Sequence, residues 1–285
     1  NGADASRWSR LVDVAAMLDE GADASTGAAV TEQMGLARDA LRMLANARLE
    51  RVALPAECGG AEALCLVPPT AHDAARSPWV LKLHGGPHAA SCDAFNLETT
   101  LLLASGVAVI FPNYRGSLGF GQAFVDALPG NIGEMDVADC VALTRASLAQ
   151  LADVLEPTRG AAYGGSHGGF LTAWLLGCAD RELYSRGGVL WNPVTDLPAM
   201  LGATDIPEWV WAEGCTESPE GGVAWPLTAA QLLELHRRSP ISVIDMVEAP
   251  ALMLLGAADQ RVPHKQGRSW VSALQHVRQR GASAG

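Results

Sequence analysis

No stretch of this sequence approaches the roughly 18 consecutive apolar residues that a membrane-spanning helix requires, and no basic segment followed by an apolar one opens it. Both absences set the expectation of a soluble, cytoplasmic protein with no membrane partner. Basic blocks are missing as well. Lys82 and Lys265 are the only lysines, and 20 basic against 31 acidic residues leave a formal net charge of −11, which argues against nucleic acid as a partner. The six cysteines are widely spaced, with neither a Cys-x-x-Cys pair nor a His/Cys cluster at metal-ligand spacing. No metal and no cofactor is therefore expected.

What is present is enough apolar chain, 49% of 285 residues, to bury one large core with little to spare for a second domain. Residues 1–62 differ in texture from the rest. Helical stripes occur at Leu11, Val12, Ala15, Ala16 and Leu18, and again at Leu36, Ala40, Leu41, Leu44 and Ala47, and the segment reads as helical or irregular, with no assigned role. Residues 63–285 read as one α/β unit. Arg51 to Leu54 and Ala63 to Val67 suit a pair of antiparallel edge strands, and further strands are expected at Val80 to Leu83, Val107 to Phe111, Gly160 to Tyr163, Gly188 to Trp191 and Ala251 to Leu255. Helical runs separate them, with Asp136 and Asp139 read as an acidic first turn matched to a helix dipole. That order predicts a doubly wound, mostly parallel sheet.

The chain is organised around Gly164-Gly165-Ser166-His167-Gly168. An apolar strand precedes this Gly-x-Ser-x-Gly and a helix-compatible run follows, the context of a serine held on a sharp strand-to-helix turn, where a Cβ at the flanking glycines would collide with neighbouring backbone. Ser166 is the candidate nucleophile. A second backbone N–H is needed to complete an oxyanion hole. His84-Gly85-Gly86, directly after the strand ending at Leu83, has the composition for it, so the expected donors are the N–H groups of Gly86 and His167. Asp259 lies just past a predicted strand and 93 residues after Ser166, where the acid of a serine triad belongs in this fold. Its bland alternative is a turn or helix cap.

Several longer stretches match a known family: LKLHGGPH from Leu81, NYRGSLGFGQ from Asn113, LPGNIGEMDVADC from Leu128, GGSHGGF from Gly164, WNPVTDLPAMLGATDIPEW from Trp191, SPI from Ser239 and LLGAADQRVPHKQG from Leu254. From about Ala63 to Leu274 the chain resembles the catalytic domain of the prolyl oligopeptidase family, most closely the members that release N-terminal acylated residues. The resemblance implies an α/β-hydrolase fold, a cytoplasmic serine peptidase without cofactor, and short N-acylated, typically acetylated, peptides as substrates. It also implies that Ser166 is the nucleophile, Asp259 the triad acid, and Gly86 and His167 the oxyanion donors. Some relatives use a tyrosine hydroxyl at the oxyanion; Phe120 stands at that position here and has none to offer.

Two departures from the family pattern stand out. Residues 1–62 do not resemble the family's N-terminal β-propeller, and the start at Asn1 suggests a piece of something longer. The family's catalytic histidine lies beyond the acid and one further strand, whereas this sequence runs only 26 residues past Asp259. The domain is therefore expected to lack its last strand and helix and its triad histidine, with an unprotected sheet edge beside Ala251 to Leu255 that favours a homo-oligomer. His264 and His276 are the histidines after the acid, and both read as surface residues of a helix. Arg115 and Asn192 are expected to support the site through hydrogen bonds. Trp209 and Trp211 are read either as the wall of an apolar substrate pocket or as core. A related esterase or oligopeptidase, and an inactive hydrolase-fold module, remain as alternative functions.

Overall fold

The computed structural model describes residues 46–56, 59–69, 76–215 and 226–283. The helical stripes predicted in the first 47 residues lie outside these residues except for Ala47, which is not helical and directly precedes the first strand at Arg48, and Trp225 lies outside them too.

Seven strands form one sheet: β1 Arg48–Ala53, β2 Glu62–Val67, β3 Ser77–Leu83, β4 Ala108–Asn113, β5 Leu155–Gly165, β6 Gly188–Trp191 and β7 Ala251–Leu254, in the order β1-β2-β4-β3-β5-β6-β7. The first two pairings, β1 with β2 and β2 with β4, are antiparallel, and all the others are parallel. The helices are α1 Leu97–Ala104, α2 Gln122–Asp126, α3 Met135–Gln150, α4 His167–Gly177, α5 Leu197–Leu201, α6 Pro207–Gly214, α7 Ala229–Arg237 and α8 Lys265–Ser283. This is the doubly wound α/β-hydrolase arrangement expected from the alternation of strands and helices. Two details differ from expectation. Pro112 does not stop its strand: β4 runs through it, paired Ala63↔Pro112, and Pro112 lies beyond the last β4 pair with β3, Leu81↔Ile110. The boundary at residue 63 falls inside the sheet, because the ladder from Arg48↔Val67 to Ala53↔Glu62 holds β1 in it.

Period-two alternation along β3 buries Trp79, Leu81 and Leu83 on one face, which α3 and α4 cover. The other face is more open. Val80, Tyr163, Val189, Leu252 and Leu254 line an apolar groove of about 670 Å³, to which α1 contributes Glu98, Leu101 and Leu102. There Leu252 is 56% and Leu254 43% exposed. Among the described residues β7 pairs with β6 alone, so its other side is a free edge.

The parallel strands share one carboxyl edge. The loops after β3, β4, β5, β6 and β7 therefore emerge together, carrying His84–His88, Tyr114–Gly121, Ser166, Asn192 and Gly256–Asp259. This is where an open α/β sheet positions a site.

Candidate active site

Ser166 occupies the turn between β5 and α4 with φ 57° and ψ −122°, a conformation that costs a non-glycine residue about 1–3 kcal/mol. The glycines around it show what holds the turn. A Cβ on Gly164 would collide with the Gly168 carbonyl, and one on Gly168 with the Leu83 carbonyl. The serine is thus wedged where β3, β5 and the start of α4 touch. Its own N–H donates to Trp191 O at 2.9 Å, tying the turn to the end of β6.

The loop after β3 lies against this turn. A Cβ on Gly85 would stand 3.1 Å from Gly165 O and 3.4 Å from the Ser166 Cβ. Gly86 follows at φ 123°, in a region open essentially to glycine alone. Among the described residues neither the Gly86 N–H nor the His167 N–H has an acceptor. Two free amide donors therefore flank Ser166, one of them at the first position of α4, where the helix dipole favours negative charge. Beneath the loop, His84 stacks on Tyr114 with centroids 4.4 Å apart and reaches Ser117 Oγ at 2.9 Å. Burial pushes the His84 imidazole down to about 4, and nearby His167 pushes it the same way.

Asp259 sits two strands from Ser166, in the loop after β7. Its Oδ1 accepts the N–H groups of Arg261 and Val262, each at 2.9 Å, and its Oδ2 accepts from Asn192 Nδ2. Asn192, in the left-handed region at φ 39°, also accepts the Gly256 N–H at 2.7 Å. Serine turn, β6 end and acid loop are thereby linked.

The relay is not complete among the described residues. No described histidine hydrogen-bonds to Ser166 Oγ or to Asp259. His167 is fully buried, with Nε2 bonded to Asp136 Oδ2 at 2.9 Å, and is stacked on Phe170. His88 bonds Gly116 O and Glu213. His236 and His276 are exposed on α7 and α8, and His264 precedes α8.

Arg115 forms a two-pronged ion pair with the buried Asp139, at 2.8 Å from Nε and 2.6 Å from Nη2, and its backbone N–H bonds the same carboxylate at 2.9 Å. It holds the loop after β4 onto α3. Asp136 lies in the first turn of α3 as expected, accepting Val137 N–H at 2.9 Å and Gly133 N–H at 2.7 Å, whereas Asp139 lies one turn further on and is engaged by Arg115 instead. The two tryptophans separate. Trp211 is 2% exposed and packs in the core, while Trp209 donates from Nε1 to Gly86 O at 3.1 Å. Glu213, 4% exposed beside His88, had no signal in the sequence, since its partner is 125 residues away.

Comparison with known proteins adds to this geometry. The model of the Prolyl oligopeptidase family matches residues 93–284. Acylamino-acid-releasing enzyme 2 of Oryza sativa subsp. japonica is 38% identical over 210 residues, 73% of this chain and 26% of the relative. The acylamino-acid-releasing enzyme of Mus musculus is 40% identical over 213 residues, 75% of this chain and 28% of the relative. The chain thus spans about a quarter of the length of these curated relatives. Among solved structures, the uncomplexed acylaminoacyl peptidase of Pyrococcus horikoshii superposes with a TM-score of 0.67 at 21% identity, covering 81% of this chain and 35% of that one.

Proposed function

The chain belongs to the prolyl oligopeptidase family, and from that premise we propose that residues 48–285 act as the catalytic domain of a serine peptidase releasing an N-terminal acylated residue from short peptides. In this reading Ser166 Oγ attacks the carbonyl carbon of the acylated residue, and the Gly86 and His167 N–H groups stabilise the charge that develops on its oxygen. Asp259 orients the imidazole that takes the serine proton and returns it to the leaving amine. That imidazole belongs to a histidine outside the described residues. The observation carrying the proposal is the strained Ser166 between two amide donors without protein acceptors, on the strand edge that also presents Asp259.

The names of the relatives favour acylated substrates. The open oxyanion loop and the Trp209 ring beside it suit an uncharged, partly apolar group. A related esterase would use the same atoms, so the test compares three reporters: an N-acetylalanyl anilide, the unblocked alanyl anilide and a simple ester. It uses the chain extended by a strand, a histidine and a covering helix of the family pattern. Faster turnover of the acetylated anilide than of the unblocked one supports the proposal. Preference for the unblocked anilide, or turnover of the ester alone, contradicts it. Absence of turnover in the extended protein, with Ser166 intact, favours the reading of an inactive module.

A further inference from the structure

The loop that carries the Gly86 N–H is held from outside the sheet by a short helix, α6, at two points. Trp209 and Glu213 are four residues apart and so share one face of that helix. Trp209 Nε1–H donates to Gly86 O at 3.1 Å, on the peptide that follows the oxyanion donor. Glu213 Oε1 lies 3.1 Å from His88 Nε2, two residues further on. The ring of His88 is in turn pinned by its other nitrogen, which donates to Gly116 O at 2.8 Å. The helix is itself anchored, by Trp211 in the core and by Ala212 O, which accepts the Gly130 N–H at 3.0 Å.

Resting on the reading of Gly86 as an oxyanion donor, we propose that Trp209 and Glu213 are positioning residues that brace this loop and aim the Gly86 N–H, Glu213 acting through His88. Simple chain geometry supports the assignment. Glycines at 85 and 86 have no side chains of their own to hold the loop, and a donor aimed only by its own backbone loses orientation. Bonds to Gly86 O and to His88 restrain the chain on the carboxyl side of the N–H, while Leu83 in β3 restrains the other side.

The protons are also accounted for. Gly116 O only accepts, so His88 Nδ1 bears a proton, and a single proton then sits between Nε2 and Glu213 Oε1. The pair is either imidazolium with carboxylate or imidazole with carboxylic acid. Burial raises the Glu213 carboxyl, with His88 and His167 opposing the rise and Asp136 adding to it. A glutamine at 213 preserves the link in the second form, its amide N–H donating to Nε2. An alanine removes it.

The test needs no catalytic turnover. Backbone 15N relaxation on chain 1–285 reads the order of the Gly85, Gly86 and His88 amides, and titration with N-acetylalanine presents a carboxylate to the proposed hole. The brace predicts rigid amides, with order parameters of about 0.85, in the parent and in Glu213→Gln, falling toward about 0.6 in Glu213→Ala and in Trp209→Phe. It also predicts about tenfold weaker N-acetylalanine binding in the latter two, the size of one lost hydrogen bond. Thermal unfolding of each variant separates loop order from global stability. Unchanged order parameters in both Glu213→Ala and Trp209→Phe overturn the brace, as does a Glu213→Gln variant as mobile as Glu213→Ala. If the parent fails to bind N-acetylalanine at all, the oxyanion reading falls, while the relaxation data still decide the brace.

Discussion

Asn192 holds Asp259 by Oδ2, the oxygen that Arg261 and Val262 leave free. Its Nδ2 donates to Asp259 Oδ2 while its Oδ1 accepts the Gly256 N–H at 2.7 Å, so one side chain fixes both the start of the loop after β7 and the carboxylate it presents. The left-handed backbone at Asn192 is one that asparagine tolerates and β-branched residues do not. Asn192→Gly should keep the backbone and lose both hydrogen bonds; Asn192→Ala should lose them and add backbone strain. Each is expected to lower stability by about 1–3 kcal/mol, with Ala the worse, as measured by urea unfolding. Equal stability of both variants and the parent would contradict this role.

Gly86→Ala tests the shape of the oxyanion loop. At φ 123° an added Cβ would stand 2.7 Å from His88 N, and the loop must move to relieve it. Misplacing one oxyanion donor costs about 3 kcal/mol, or about a hundredfold in kcat. The expected result in the histidine-extended protein is a large loss of kcat with little change in KM and a native circular dichroism spectrum. Unchanged kcat would remove Gly86 from the hole.

The turn that carries Ser166 and the loop that carries Asp259 were legible because the local structure they need is written in neighbouring residues. A strand, two obligatory glycines and a helix start surround Ser166 in fourteen consecutive residues, Ala161 to Trp174, and Asp259 follows an apolar strand directly. The partnerships that hold the site were not legible. Arg115 with Asp139, His167 with Asp136 and His88 with Glu213 are separated by 24, 31 and 125 residues, and no periodicity links such positions. Asp136 stands in the first turn of its helix as its sequence position indicates, but its bond to His167 and the pairing of Asp139 with Arg115 could not be read from a single sequence, which shows a place on a helix and not what the fold brings against it. Trp209 and Trp211 are near-identical in sequence context, and only the direction each faces on α6 makes one a loop brace and the other core.

The open groove beside β7 predicts association. Leu252 and Leu254 present apolar side chains next to a strand edge that is unpaired among the described residues, a combination that invites pairing with another chain. Sedimentation of chain 1–285 should show a concentration-dependent rise in mass, and Leu252→Lys with Leu254→Lys should suppress it. A monomer at all concentrations would contradict the expectation.

His84 makes stability pH-dependent. Burial pushes its imidazole down to about 4 from the ordinary 6.5, so between those values the unfolded chain binds a proton that the folded chain does not. Stability is therefore intact above about pH 6.5 and falls as the pH drops toward 4, by up to about 3 kcal/mol from this residue. In His84→Gln that component should vanish, giving a shallower loss of urea midpoint over the same range. Parallel curves for parent and variant would show that His84 does not titrate in this way.

The proposed role of Ser166 as nucleophile depends on a base that takes its proton. Its most direct measurement is turnover of N-acetylalanyl anilide by chain 1–285, by the histidine-extended chain, and by the extended chain carrying Ser166→Ala, all at equal folded concentration. A serine hydroxyl attacks poorly until an imidazole takes its proton. At most trace rates are therefore expected from the first, a rate gained with the extension, and its loss by several orders of magnitude on removing Ser166. Comparable turnover by 1–285 and the extended chain, or retained turnover in Ser166→Ala, would contradict this expectation.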